Sequence, residues 1–123
     1  MWQKLNDKGG TAVGWHLLSA ARSVTGEGNL MEPLQKALEL YRELRWRRYE
    51  ATALYNLSER QRFQPHGGPV AQRTAEEAVG IWKEIGNFKG EATAMTAVAK
   101  AMISRGLKAA RASKQLREPR KRR

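Results

Sequence analysis

Apolar side chains recur every three or four residues along most of this 123-residue chain, the spacing of one face of an α-helix. One apolar stripe runs from Leu30 to Leu44, and a second runs from Ala71 to Ile85. Stretches of alternating apolar and polar residues, which are typical of β-strands, are missing. The pattern therefore predicts an all-α protein.

Residues that commonly begin or end helices mark the predicted boundaries. Asn29 is a candidate N-cap, and Glu32 follows at the spacing of a capping box. Pro69 suits the first position of another helix, and Gly86 suits its end. Gly106 is expected to interrupt the last apolar stripe. These signals predict five or six helices, over about 10–23, 30–44, 49–62, 69–85, 90–104 and 107–116.

The pattern of large and small residues repeats about every 40 residues. A fixed period of this length is typical of a solenoid, in which each unit buries its apolar face against its neighbours. Trp2 and Leu5 match Trp82 and Ile85, so a turn is expected over residues 5–9 and the chain is expected to begin inside a repeat. The corresponding positions are Trp15, Leu18 and Ser19, then Leu54, Leu57 and Ser58, then Met95, Val98 and Ala99.

These paired helices, with Ala37, Tyr41 and Leu44 matching Ala78, Trp82 and Ile85 on the second helix of each pair, resemble tetratricopeptide repeats. The usual unit of that family is about 34 residues, and here it is about 40 because the turns within each pair are longer. The resemblance implies an antiparallel helix-pair solenoid of two and a half to three repeats over residues 1–112.

The resemblance also implies a non-enzymatic scaffold that binds a protein or peptide on a concave face, lined by the first helix of each pair. Tyr55 is expected to anchor the partner, and Arg62 with Lys100 is expected to hold an acidic group. The alternative is that this face is only solvated and that the chain is a structural spacer. The groove positions carried over are His16, Thr52, Tyr55, Asn56, Glu59, Arg62, Thr96 and Lys100, together with Val13, Ala20, Thr93 and Ile103.

The net charge of +11 is concentrated at the end of the chain. From residue 100 onward, ten Lys and Arg residues face a single acidic residue, Glu118. Residues 113–123 are expected to form a disordered basic tail, which favours a second interpretation: binding of nucleic-acid phosphates or of an acidic partner. A nuclear-import signal is a further interpretation of the same residues. The tail positions are Lys114, Arg117, Arg120, Lys121, Arg122 and Arg123.

Residue types that carry catalysis or bind metals are sparse. The chain has no cysteine, and its two histidines, His16 and His66, lie far apart in the sequence. No nucleophile motif or phosphate-binding loop is present. We therefore predict no enzyme activity, no cofactor and no metal site.

The location and assembly of the protein are predicted from composition and from the repeat pattern. The absence of cysteine favours an intracellular protein, cytoplasmic by default and nuclear if the basic tail is an import signal. No apolar run approaches the roughly 20 residues of a membrane span. Uncapped apolar ends of the solenoid predict self-association.

Overall fold

The computed structural model describes residues 2–26, 28–29 and 31–117, with side chains from residue 7 to residue 114 of these ranges. This part of the chain contains no β-strand, so the all-α prediction is confirmed. It folds into five helices: α1 (Trp2–Thr25), α2 (Met31–Leu44), α3 (Arg47–Gln61), α4 (Gly68–Ile85) and α5 (Phe88–Arg117).

Successive helices pack as antiparallel neighbours. Near the start of α1, Lys8 Nζ lies 3.2 Å from Glu43 Oε2 near the end of α2. Near the end of α3, Ser58 Oγ donates a hydrogen bond to the carbonyl oxygen of Ala71 near the start of α4, at 2.8 Å. The helices therefore form the predicted pairs, α1 with α2 and α3 with α4, and α5 packs on α4.

The core runs along the contacts within and between these pairs. Small residues contribute much of it, because alanine lets two helices approach closely. The largest fully buried side chains include Leu34, Tyr41 and Leu54. The core cluster consists of Ala12, Leu34, Ala37, Leu38, Tyr41, Ala51, Ala53, Leu54, Leu57, Ala78, Ile81, Trp82 and Ala94.

The predicted caps of α2 and α4 are confirmed. The backbone N–H of Met31 donates to Asn29 Oδ1 at 2.8 Å. Gly67 precedes α4, and a proline stands in its first turn. Gly86 ends α4 in the left-handed conformation, with φ of 82°. The sequence suggested nothing for Asn87 beyond the end of α4, but its Oδ1 accepts the N–H of Gly90 at 2.8 Å and caps α5.

The same backbone turn closes both junctions between pairs. Arg45, with φ of 58°, stands after α2 where Gly86 stands after α4, 41 positions later. The N–H of Trp46 donates to the carbonyl of Tyr41 at 3.0 Å, and the N–H of Asn87 donates to the carbonyl of Trp82 at 3.1 Å. Both are Schellman motifs. The repeat is therefore present in the backbone as well as in the side-chain pattern.

The aromatic packing at the two junctions differs. Tyr41 stacks on Tyr49, with ring centroids 5.5 Å apart and ring planes 27° apart. At the equivalent junction, Trp82 covers Gly90, where a Cβ would lie 2.6 Å from Trp82 Cε3. A large ring next to glycine thus replaces two tyrosine rings.

Two sequence predictions are wrong because a glycine that was expected to mark a turn lies inside a helix. The expected turn over residues 5–9 is part of α1. Gly9 is buried there against the Trp46 ring, so its small size serves a packing contact. Gly106 lies within α5, which is one helix of 30 residues. A glycine with ordinary helical angles costs about 1 kcal/mol without ending a helix.

The end of α5 overlaps the region assigned to the basic tail. The helix continues to Arg117, beyond the expected boundary at residue 112. Lys114 is exposed on it. The tail positions Arg120, Lys121, Arg122 and Arg123 lie outside the described residues.

Candidate functional site

The first helices of the repeats, α1, α3 and α5, lie side by side and run in the same direction. His16 of α1 is hydrogen-bonded to Asn56 of α3. Later in both helices, Arg60 Nη2 of α3 donates to Ser23 Oγ of α1 at 2.8 Å, so the two helices run in the same direction. Between α3 and α5, Lys100 Nζ lies 3.7 Å from Glu59 Oε2. This arrangement creates two grooves, which we call the first groove (between α1 and α3) and the second groove (between α3 and α5).

The first groove encloses a cavity of about 170 Å³. Two of the predicted binding positions, His16 and Asn56, form part of its wall, and Ala20 joins them. Arg60 supplies a positive charge that the repeat pattern does not indicate, because its side chain lies next to α1 only in the folded chain. The full lining is His16, Ser19, Ala20, Ser23, Leu34, Asn56 and Arg60.

A chain of polar contacts fixes His16 in the first groove. Asn56 Nδ2 lies 2.9 Å from His16 Nε2, and His16 Nδ1 lies 3.2 Å from the Tyr41 hydroxyl. With the Asn56 amide as donor, Nε2 accepts and Nδ1–H donates to Tyr41, which is the neutral form of the ring. Burial lowers the pKa of His16 and raises that of Tyr41, with Tyr49 adding to the rise. Both side chains are therefore neutral at pH 7.

The second groove holds a cavity of about 160 Å³ between α3 and α5, and it continues into a cavity of about 320 Å³ that is lined by α3 and by Trp82 of α4. They share Thr52 and Trp82. The predicted positions Thr52 and Tyr55 and the further position Thr93 lie here. The hydroxyls of Thr52 and Thr93 donate to helix carbonyls one turn earlier, each at 3.0 Å. The remaining lining residues are Gly90 and Ala94 in the smaller cavity, and Arg48 and Tyr49 in the larger one.

Trp82 is the functional candidate that the sequence did not indicate. Its place in the apolar stripe of α4 assigned it to the core, and it is indeed only 9% exposed. The remaining surface of its ring nevertheless lines both cavities of the second groove. The sequence signal that could have suggested this is Gly90, because without a side chain there the Trp82 ring packs directly against the backbone of α5 at the edge of the groove.

The charged positions Glu59, Arg62 and Lys100 form a cluster of their own. Glu59 Oε2 lies 3.5 Å from Arg62 Nη2 and 3.7 Å from Lys100 Nζ. Arg62 also lies over the Phe63 ring, with its guanidinium carbon 4.3 Å from the ring centroid. The two cations expected to hold an acidic group of a partner thus already share Glu59, and the cluster keeps one net positive charge. Thr96 is exposed and lines none of the cavities in the two grooves.

A second charged cluster joins α2, α3 and α4 around Glu50, whose side chain is only 4% exposed. Arg42 Nε and Arg47 Nη1 lie 3.2 and 2.8 Å from its carboxylate oxygens. The same arginines also pair with Glu77 at 2.7 Å and Glu84 at 2.6 Å. Because every member has an opposite charge at contact distance, this cluster stabilises the junction of the two helix pairs.

Neither a membrane-spanning helix in the part of the chain that the structure describes nor a similarity to other proteins indicates a function for this chain. None of the helices in the described ranges is long and apolar enough to cross a membrane. Searches of protein-family models, curated proteins and solved structures return no match to this chain.

Proposed function

We propose that this chain is a non-enzymatic protein-interaction module that binds a peptide segment of a partner across α1, α3 and α5. The observation that carries the proposal is the second groove, where Tyr55 and Thr52 border the small part of Trp82 that stays exposed. A half-buried tyrosine next to a tryptophan is the kind of residue pair that dominates binding energy in protein interfaces. The proposal includes the assignment to tetratricopeptide-like repeats.

The chemistry of the two grooves defines the partner. The second groove has an apolar floor and suits an apolar or aromatic side chain of the peptide. The Arg60 guanidinium in the first groove suits an acidic residue elsewhere in the same peptide. A peptide that carries an apolar anchor and a separate acidic residue would therefore engage both grooves. Because the two grooves lie on either side of α3, the anchor and the acidic residue must be far enough apart to span that helix.

The test begins with selection of peptides on the purified chain, from a random library displayed on phage. The affinity of a selected peptide is then measured by fluorescence anisotropy. Tyr55→Ala is expected to weaken binding by at least tenfold, about 1.4 kcal/mol, because the anchor contact is removed. The matched control is Gln35→Ala, an exposed position on α2 that lines no cavity of either groove. Circular dichroism checks that both variants retain their helices.

The result that contradicts the proposal is a selected peptide that binds Tyr55→Ala as tightly as the parent chain. The second candidate function, phosphate binding by the basic residues at the end of α5, is favoured by the exposed Arg111 and Lys114. It predicts that duplex DNA binds equally to the parent chain and to Tyr55→Ala, and that this binding falls steeply between low and moderate salt.

A further inference from the structure

One face of α5 exposes large apolar side chains on the side away from the helices it packs against. Phe88, Met95 and Met102 are 82%, 55% and 54% exposed. Met95 and Met102, together with residues of α4, border a cavity of about 280 Å³, which we call the α4–α5 groove. It is lined by Glu76, Val79, Met95, Val98, Ala99 and Met102.

The internal repeat shows what this face of α5 corresponds to. Its residues stand 41 positions after residues of α3 that are buried under α4. In α3 this face is bonded to the covering helix, because Ser58 Oγ donates to the Ala71 carbonyl of α4. The face of α5 thus has the register of a helix face that accepts an antiparallel helix. Met95, Val98, Ala99 and Met102 correspond to Leu54, Leu57, Ser58 and Gln61.

The version on α5 is more apolar than the version on α3. Ala99 replaces Ser58, and Met102 replaces Gln61. Methionine adapts to differently shaped partners because its side chain is unbranched and polarizable. A helix that covers α5 therefore needs fewer hydrogen-bonding groups than α4 needs against α3. Burial of apolar surface would supply most of the binding free energy.

Charge restricts the covering helix further. After Glu91, no acidic residue follows in α5, whereas Arg105, Lys108, Arg111 and Lys114 are all exposed. A helix antiparallel to α5 begins near the part of α5 that carries these cations, of which Arg105 also bonds to Gln72 and Lys108 to the carbonyl of Gln64. The N-terminus of the docking helix also carries a partial positive charge. Acidic residues in its first turns would offset both this partial charge and the cations of α5. The self-association that the sequence predicts for uncapped ends is disfavoured at this groove, because each copy of the chain carries a net charge of +11 and the same basic helix.

We propose that the α4–α5 groove is a docking site for an amphipathic helix of a partner protein, with acidic residues in its first turns. The helix lies antiparallel to α5, as α4 lies against α3. This site is separate from the two grooves of the proposed function and does not depend on them.

The probe is a fluorescently labelled 18-residue peptide that copies the apolar pattern of α4, with Ala and Trp at the positions of Ala71, Ala75, Ala78 and Trp82, and with glutamate at the solvent positions. One control peptide carries lysine in place of glutamate. The other has the acidic composition in scrambled order, without an apolar stripe. Fluorescence anisotropy with the full chain is expected to give binding of the acidic amphipathic peptide at least tenfold tighter than of either control.

The groove is then tested on the chain itself. Met95→Gln combined with Met102→Gln is expected to weaken binding of the acidic peptide by at least tenfold without changing net charge. Both side chains are more than half exposed, so the fold should tolerate the change. Val24→Gln is the matched control, an exposed apolar position on α1 outside the groove lining, and should leave affinity unchanged.

Three results would overturn the proposal. The first is equal binding of the acidic peptide to the double methionine variant, which would place the peptide elsewhere. The second is equal binding of the scrambled peptide, which would reduce the effect to net charge. The third is a dimer of the parent chain in sedimentation equilibrium that the double methionine variant dissociates, because the groove would then belong to a second copy.

Discussion

The contact between Trp82 and Gly90 predicts that the same substitution has opposite effects at two glycines of this chain. At Gly80, an exposed position inside α4, an added Cβ meets no atom within 4 Å. Gly80→Ala is therefore expected to stabilise the fold by about 0.8 kcal/mol, the difference in helix propensity. At Gly90, the added Cβ would lie 2.6 Å from Trp82 Cε3 and 2.8 Å from Cε2.

The size of the opposite effect follows from that geometry. Carbon atoms that are not bonded normally stay about 3.5–4.0 Å apart, so the methyl group overlaps several ring atoms at once. Overpacking of this kind costs about 1–3 kcal/mol. Gly90 stands in the first turn of α5, and a backbone shift to relieve the overlap would weaken its hydrogen bond to Asn87. After the gain of about 0.8 kcal/mol in propensity is subtracted, Gly90→Ala is expected to destabilise the fold by up to about 2 kcal/mol.

Urea unfolding followed by circular dichroism measures both effects, provided that the slope of unfolding free energy against urea stays constant. The two variants should move the midpoint in opposite directions. If Gly90→Ala raises the midpoint as much as Gly80→Ala does, the Trp82 ring is not packed against the backbone of Gly90. Trp82 would then not line the second groove either.

The remaining predictions concern charge. Burial lowers the pKa of His16 below its usual 6.5, so the unfolded chain takes up a proton first as the pH falls. Stability is complete above the unfolded pKa and is lost as the pH falls toward the folded pKa, by at most about 1.4 kcal/mol per pH unit. Urea midpoints measured between pH 7 and 5.5 should fall for the parent chain and for the control His66→Asn, but not for His16→Gln. An equal fall in His16→Gln would show that another group causes the loss of stability. Replacing Arg42 and Arg47 together by methionine leaves Glu50 buried without a partner and should cost about 3 kcal/mol. Adding Glu50→Gln to that variant should restore part of the urea midpoint, and no recovery would show that the charge of Glu50 is not the cause.

Helix ends that depend on local chemistry were predictable from sequence, and those that depend on distant packing were not. Asn29 and Gly86 act on backbone groups within a few residues, so their type and position sufficed. Gly9 and Gly106 looked like similar signals. The role of Gly9 is set by Trp46, which approaches it only after α1 and α2 have packed.

The candidate site was predictable to the extent that the repeat register determines it. Equivalent positions on successive first helices identified His16, Tyr55 and Asn56, all of which line the grooves. The register could not indicate that Glu59 neutralises part of the Arg62 and Lys100 charge, because that depends on the distance between α3 and α5. The assignment of all these residues as partner-binding positions stays a prediction.

The different aromatic packing at the two junctions makes the repeats non-interchangeable. Tyr41 meets Tyr49, whereas Trp82 meets Gly90. A duplicated or shuffled unit would bring a tryptophan against a tyrosine, which overfills the space, or a tyrosine against a glycine, which leaves a void. The order of units is thus encoded where one unit meets the next. Lengthening this protein by copying a unit would require matched changes at both positions of each new boundary.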